Sequence, residues 1–122
     1  MILVDTSIWV DHLRRGNDTL SDLLEQGLVR THPFVIGELA CGSMRNRREI
    51  LELLQTLPGV AAAEHTEVLH LVEARHLHGR GIGWVDAHLL ASTLVSQSFL
   101  FTSDKRLLRV ADALGIVYRP VR

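Results

Sequence analysis

A chain of 122 residues suits one compact domain, and with 47% apolar residues it can build a core, which excludes a disordered chain. The formal net charge of −1 excludes a global basic field, and the single cysteine, Cys41, excludes an intrachain disulfide and a thiolate metal site built by this chain alone. No apolar run approaches the ~20 residues of a membrane span, and MILVDTS carries no charged leader or cleavage site, so the expectation is a cytoplasmic protein away from membranes.

The elements are predicted in chain order. MILVD is a short β-rich run and the first strand. TSIWVDHLRRG is a helix capped near Thr6 or Ser7 and stopped by Gly16. NDTLSDLLEQG repeats that pattern, with Leu20, Leu23 and Leu24 as its stripe. LVRTH is a second strand. Pro33 opens a third helix, PFVIGELACG, because proline suits a first helical turn. RNRREILELLQTL is a fourth helix with Ile50, Leu53, Leu54 and Leu57 facing inward. Pro58 and Gly59 break the chain, and VAAAE is a weak third strand. HTEVLHLVEARHLHG and WVDAHLLASTLVSQ are further helices, FLFT is a buried strand, DKRLLRVADALG a helix, and IVY a last short strand. Strands alternating with helices predict an α/β domain with a mostly parallel sheet.

Ligands in such sheets bind outside the carboxyl ends of the strands. Asp5 stands just past ILV, and Asp104 just past FLFT. Two further acids fall among apolar neighbours: Glu38, flanked on its helix by Phe34, Val35, Cys41 and Gly42, and Asp86, on one helical face with Leu89, Leu90 and Thr93. An ionised carboxylate in such a place is costly unless paired or metal-bound. Four converging carboxylates cannot all stay ionised without a cation or shared protons. Carboxylate oxygens without a histidine or thiolate partner suit Mg²⁺ or Mn²⁺ rather than Zn²⁺. Thr6, Ser7, Thr102 and Ser103 flank the two strand-end acids and supply hydroxyls that orient them. These are the parts of metal-assisted phosphodiester hydrolysis. The structural alternative is that Asp104 caps its helix and Asp86 serves the first turn of its own.

Four stretches in order, VDTSIWVDHLR, IGELACG, GIGWVDAHLLAS and FTSDKRL, resemble the PIN-domain nucleases, and more narrowly the VapC-type toxins of bacterial type II toxin–antitoxin systems. The resemblance covers residues 1–122 as a single PIN-like domain. It implies a three-layer α/β/α fold, Mg²⁺- or Mn²⁺-dependent endoribonuclease activity, an RNA substrate, a VapB-like antitoxin and a homodimer. Matched residue by residue, the catalytic and metal-holding acids are Asp5, Glu38, Asp86 and Asp104, with Ser7 and Thr102 as supporting hydroxyls.

Arg45, Arg47 and Arg48 cluster after the Glu38 helix, and Lys105 and Arg106 follow Asp104. They are candidates for RNA backbone contact, against the plainer reading of solvated helix starts. His76 and His78 are two apart and point to different helix faces, which argues against a histidine metal site. His88 lies opposite Asp86 and suits packing or surface, Cys41 suits a small core position, and Trp9 and Trp84 suit a core or an interface. The leucines of TLSDLLEQGL fit either a core or a groove for an antitoxin helix. Aromatics at 5% offer no base-stacking platform, so RNA preference would come from shape and the phosphate path. Two other classes share part of the pattern: a non-catalytic PIN-like module binding RNA or protein, and an aspartate-dependent phosphoryl-transfer protein. The second lacks an acid two residues after Asp5, where Ser7 stands.

Overall fold

The computed structural model describes residues 1–120. Strand β1 (Ile2–Val4) is central, with β2 (Val29–Arg30) on one side and β3 (Phe99–Phe101) on the other, all parallel. Ile2 pairs with Val29 and Phe99, and Val4 with Phe101. All three β1 side chains are buried, as a central parallel strand covered on both faces requires. The helices are α1 (Thr6–Arg15), α2 (Asp18–Glu25), α3 (Pro33–Ala40), α4 (Arg47–Thr56), α5 (His65–Ala74), α6 (Trp84–Val95) and α7 (Lys105–Ala113). They flank the sheet in the three-layer α/β/α arrangement that the sequence predicts.

Local chemistry fixes the helix starts. Asn17 accepts from the Leu20 N–H at 2.9 Å and opens α2. His32 opens α3: its Nδ1 accepts from the Phe34 N–H at 3.0 Å, and Pro33 fills the first turn. Glu67 reaches back to the Glu64 N–H at 2.9 Å and opens α5.

The main core gathers Leu3, Val4, Trp9, Leu20, Leu54, Leu89, Leu90, Leu100 and Leu107. Leu20 and Leu23 belong to it, so that stripe is core rather than an open groove. Helix α6 is buried continuously from Ala87 to Thr93. A helix buried on all sides must satisfy its polar groups internally. Thr93 donates to the Leu89 carbonyl at 2.7 Å, and Ser92 Oγ accepts from the Ala63 N–H at 2.9 Å.

Several expectations are corrected. VAAAE forms no strand: only Gly59 bridges, to Thr31, and the Ala63 N–H turns inward to Ser92 instead of joining a ladder. IVY contracts to one bridge between Val117 and Leu100. Helix α5 ends at Ala74, and the chain beyond enters turns with His76 in the left-handed region at φ 53°. Leu53 is 51% exposed because Leu54 and the neighbouring Ile50 and Leu57 take the inward face. Cys41 is exposed, since it caps the C-terminal end of α3 instead of packing beneath it. Among the described residues, no helix is long and apolar enough to cross a membrane.

Candidate active site

Parallel pairing of β1 and β3 puts Asp5 and Asp104 at the same edge of the sheet. The Asp5 N–H prolongs the ladder by donating to the Phe101 carbonyl at 2.9 Å. Asp5 is buried, and its Oδ2 accepts two hydroxyl bonds, from Ser7 at 2.8 Å and Thr102 at 2.6 Å. With both protons committed to Asp5, the 3.3 Å approach of Ser7 Oγ to Thr102 Oγ1 is a contact and not a bond. Each hydroxyl also accepts a backbone N–H, Ser7 from Ser103 at 3.1 Å and Thr102 from Asp104 at 3.1 Å. The two supporting residues therefore lock the Asp5 carboxylate to the β3–α7 turn.

The other acids are held similarly. Asp104 caps α7, with Oδ1 accepting from the N–H groups of Arg106 at 3.0 Å and Leu107 at 3.1 Å. Glu38 is exposed, which corrects its expected apolar setting: α3 turns it outward toward α1, where its Oε1 accepts from Thr6 at 2.7 Å. Asp86 is partly buried in the first turn of α6, and its Oδ2 accepts from the Gly83 N–H at 3.2 Å. In each acid, then, one oxygen is held by the protein. Asp5 Oδ1, Glu38 Oε2, Asp86 Oδ1 and Asp104 Oδ2 receive no protein hydrogen bond among the described residues. Asp5 Oδ1 also opens to solvent, since the one sealed polar side-chain atom without a partner there is Trp9 Nε1.

Electrostatics ties the four together. The Asp86 carboxyl is pushed above the ordinary carboxylate range, first by burial. The Gly83 N–H opposes this, and the negative charges of Asp5, Asp104 and Glu38 add to it. No three of the acids form a closed coordination cage among the described residues. The donor set nonetheless suits a hard, oxygen-seeking divalent ion: free carboxylate oxygens, mutual repulsion and no thiolate.

A second layer escapes sequence reasoning. Rings link α3 to α6, with centroids of His32 and Phe34 5.2 Å apart, Phe34 and His88 4.6 Å apart, and His88 and Trp84 4.6 Å apart. His65 Nδ1 meets His88 Nε2 at 2.8 Å. This stack joins the helix of Glu38 to the helix of Asp86. His88 is thus a packing group, and Trp84, 43% exposed, closes the stack at the surface. No spacing rule flags it, because its members come from three helices.

The basic candidates divide. Arg47 Nε donates to the Ala40 carbonyl at 2.8 Å and helps end α3, a structural task. Arg45 and Arg14 line a groove of about 390 Å³ beside Glu38, with Leu13 and Met44. Arg48, Lys105 and Arg106 are exposed.

Thr102→Val, which is nearly isosteric, removes the 2.6 Å bond to Asp5 and orphans the Asp104 N–H. It is expected to cost about 1–3 kcal/mol in urea unfolding, with Ser7→Ala costing less because its site is more open. Equal stability of Thr102→Val and wild type would remove the locking role.

An edge of a parallel α/β/α sheet that gathers carboxylates with free oxygens defines the class. Residues 2–113 match the PIN domain family, and the chain belongs to it. Over 117 residues it is 47% identical to a protein named Ribonuclease VapC32 from Mycobacterium tuberculosis, covering 95% of this chain and 94% of that protein. The same figures hold for the protein of that name in a second strain.

Proposed function

We propose that this chain is a Mg²⁺- or Mn²⁺-dependent endoribonuclease of the toxin type, neutralised by a VapB-like antitoxin. One observation carries the reading: four acids from separate elements each keep one oxygen tied and one oxygen free, and three of them load negative charge onto the fourth. The similarity to a protein named as a VapC ribonuclease supports RNA as the substrate.

Asp5, Glu38 and Asp104 would hold the ion, and Asp86 would complete the site. When bound, Mg²⁺ or Mn²⁺ supplies Lewis acidity for water activation and for neutralising charge at the phosphate. Ser7 and Thr102 keep Asp5 oriented by occupying its Oδ2, so that Oδ1 stays presented. Arg45, Arg48, Lys105 and Arg106 would meet the RNA backbone. The expected products carry a 5′-phosphate and a 3′-hydroxyl. The reading includes a homodimer in the cytoplasm, which light scattering checks for the purified chain.

The test is to map new RNA 5′ ends after brief expression of wild type and of Asp86→Asn. Discrete new ends with the wild type alone are the expected outcome. Equal cutting by both would remove Asp86 from the machinery. No new ends in either would overturn the ribonuclease reading.

A further inference from the structure

We propose that Arg80, Arg106 and Arg109 form a discrete pocket for one RNA backbone phosphate beside the cut. This rests on the ribonuclease reading and adds a subsite to it. The three side chains, with Val110, line a cavity of about 280 Å³, which has room for a phosphate and several waters. The ion pairs among the described residues are Arg15 with Asp11 and Arg119 with Asp112, so none of the three guanidinium groups is neutralised by a carboxylate. Gathering three like charges without a counter-charge is unfavourable, and an anion relieves it. The planar guanidinium fork matches the paired oxygens of a phosphodiester.

The pocket is built from the segments that hold two of the acids. The Arg106 N–H donates to Asp104 Oδ1. Arg80 lies three residues before Gly83, whose N–H holds Asp86. Between them stands Gly81, with φ +80°. A Cβ on Gly81 would lie 2.7 Å from Arg106 Cδ and 3.1 Å from its Nε. No other glycine would put a Cβ that close to a neighbour. The missing side chain lets the Arg106 stem lie along the loop that carries Arg80. An RNA strand whose scissile phosphate sits among the acids would bring a neighbouring phosphate to these arginines.

The test uses the full chain with Asp5→Asn, so that RNA is bound and not cut. The probe is a labelled single-stranded RNA spanning the mapped cut, either intact or with one phosphate at a time replaced by a neutral methylphosphonate. Adding Arg80→Ala, Arg106→Ala and Arg109→Ala together is expected to weaken binding by roughly tenfold or more and to lower the salt slope by about one per lost phosphate contact. One methylphosphonate near the cut should weaken the parent and leave the triple variant unaffected. Arg75→Ala, just past the end of α5, should change nothing.

If the triple variant weakens binding but every methylphosphonate still costs it as much as the parent, the arginines act as a diffuse field and the pocket is wrong. Unchanged RNA binding with weakened binding of polyglutamate would assign the cavity to an acidic peptide and also overturn it. A parent that binds no RNA overturns this inference alone, since the ribonuclease reading fails earlier, when the wild type leaves no cut to map. Should the triple variant fail to fold, Arg80→Gln and Arg109→Gln singly carry the same scan.

Discussion

Asp5→Asn is expected to lower RNA cleavage by about a thousandfold, or about 4 kcal/mol in the barrier, while the chain stays folded. Asparagine keeps an oxygen for the bonds from Ser7 and Thr102, so the β3–α7 turn remains tied, but the charge that would attract a divalent ion is gone. Asp86→Asn should lose cleavage to a similar degree with the opposite signature in stability. A carboxyl whose folded pKa is raised favours the native state at low pH and loses that contribution as pH rises through the folded value. At pH 7 the ionised Asp86 therefore opposes folding, and asparagine, still able to accept the Gly83 N–H, removes the opposition. Without metal, Asp86→Asn should melt higher than wild type at pH 7, and the gap should shrink toward pH 3. Added Mn²⁺ should raise the wild-type melting temperature more than that of the variant. A variant that melts lower at every pH, or cuts as fast as wild type, contradicts the assignment.

Acidification from pH 6.5 to 4 should destabilise the protein through His32 by up to about 3 kcal/mol. The ring is 2% exposed. Its Nδ1 accepts from Phe34, so the proton sits on Nε2, which donates to Ser92 Oγ at 3.1 Å. Burial first, and then the charge of His88, push its pKa down from 6.5 to about 4. The unfolded chain takes a proton near pH 6.5, whereas the folded chain resists until about pH 4. Stability is complete above pH 6.5 and is lost between those values. Urea midpoints at pH 7, 5.5 and 4 measure the loss. His32→Asn keeps an acceptor for the Phe34 N–H but cannot titrate, so it should start less stable and show a flatter profile. Parallel profiles for wild type and variant would assign the acid sensitivity to other groups.

The helices were legible because their apolar stripes are long and their ends are marked by Asn17, Pro33 and Gly16. The strand-end acids were legible because a parallel sheet brings the segments that follow its strands to one edge. What escaped was decided by partners remote in sequence. Ala63 looks like a strand residue, yet its N–H answers to Ser92 on α6. Glu38 looks buried from its neighbours, yet Thr6 across the groove gives it a polar setting. The Arg47 side chain looks like a free cation, yet it caps α3. The stack through Phe34, His88 and Trp84 has no local period to find.

The bond from Thr102 to Asp5 spans 97 positions of sequence. Both the first acid and its anchor are useless apart, because β1 has no β3 to pair with until nearly the whole chain exists. During synthesis the N-terminal part emerges first and carries Asp5 and Glu38 without the other half of the site. A nascent chain therefore lacks the joined site, because Asp5 has no Thr102 to hold its carboxylate until the far end of the chain is made. The sheet edge that carries Asp5 and Asp104 is complete only when the last fifth of the polypeptide adds β3.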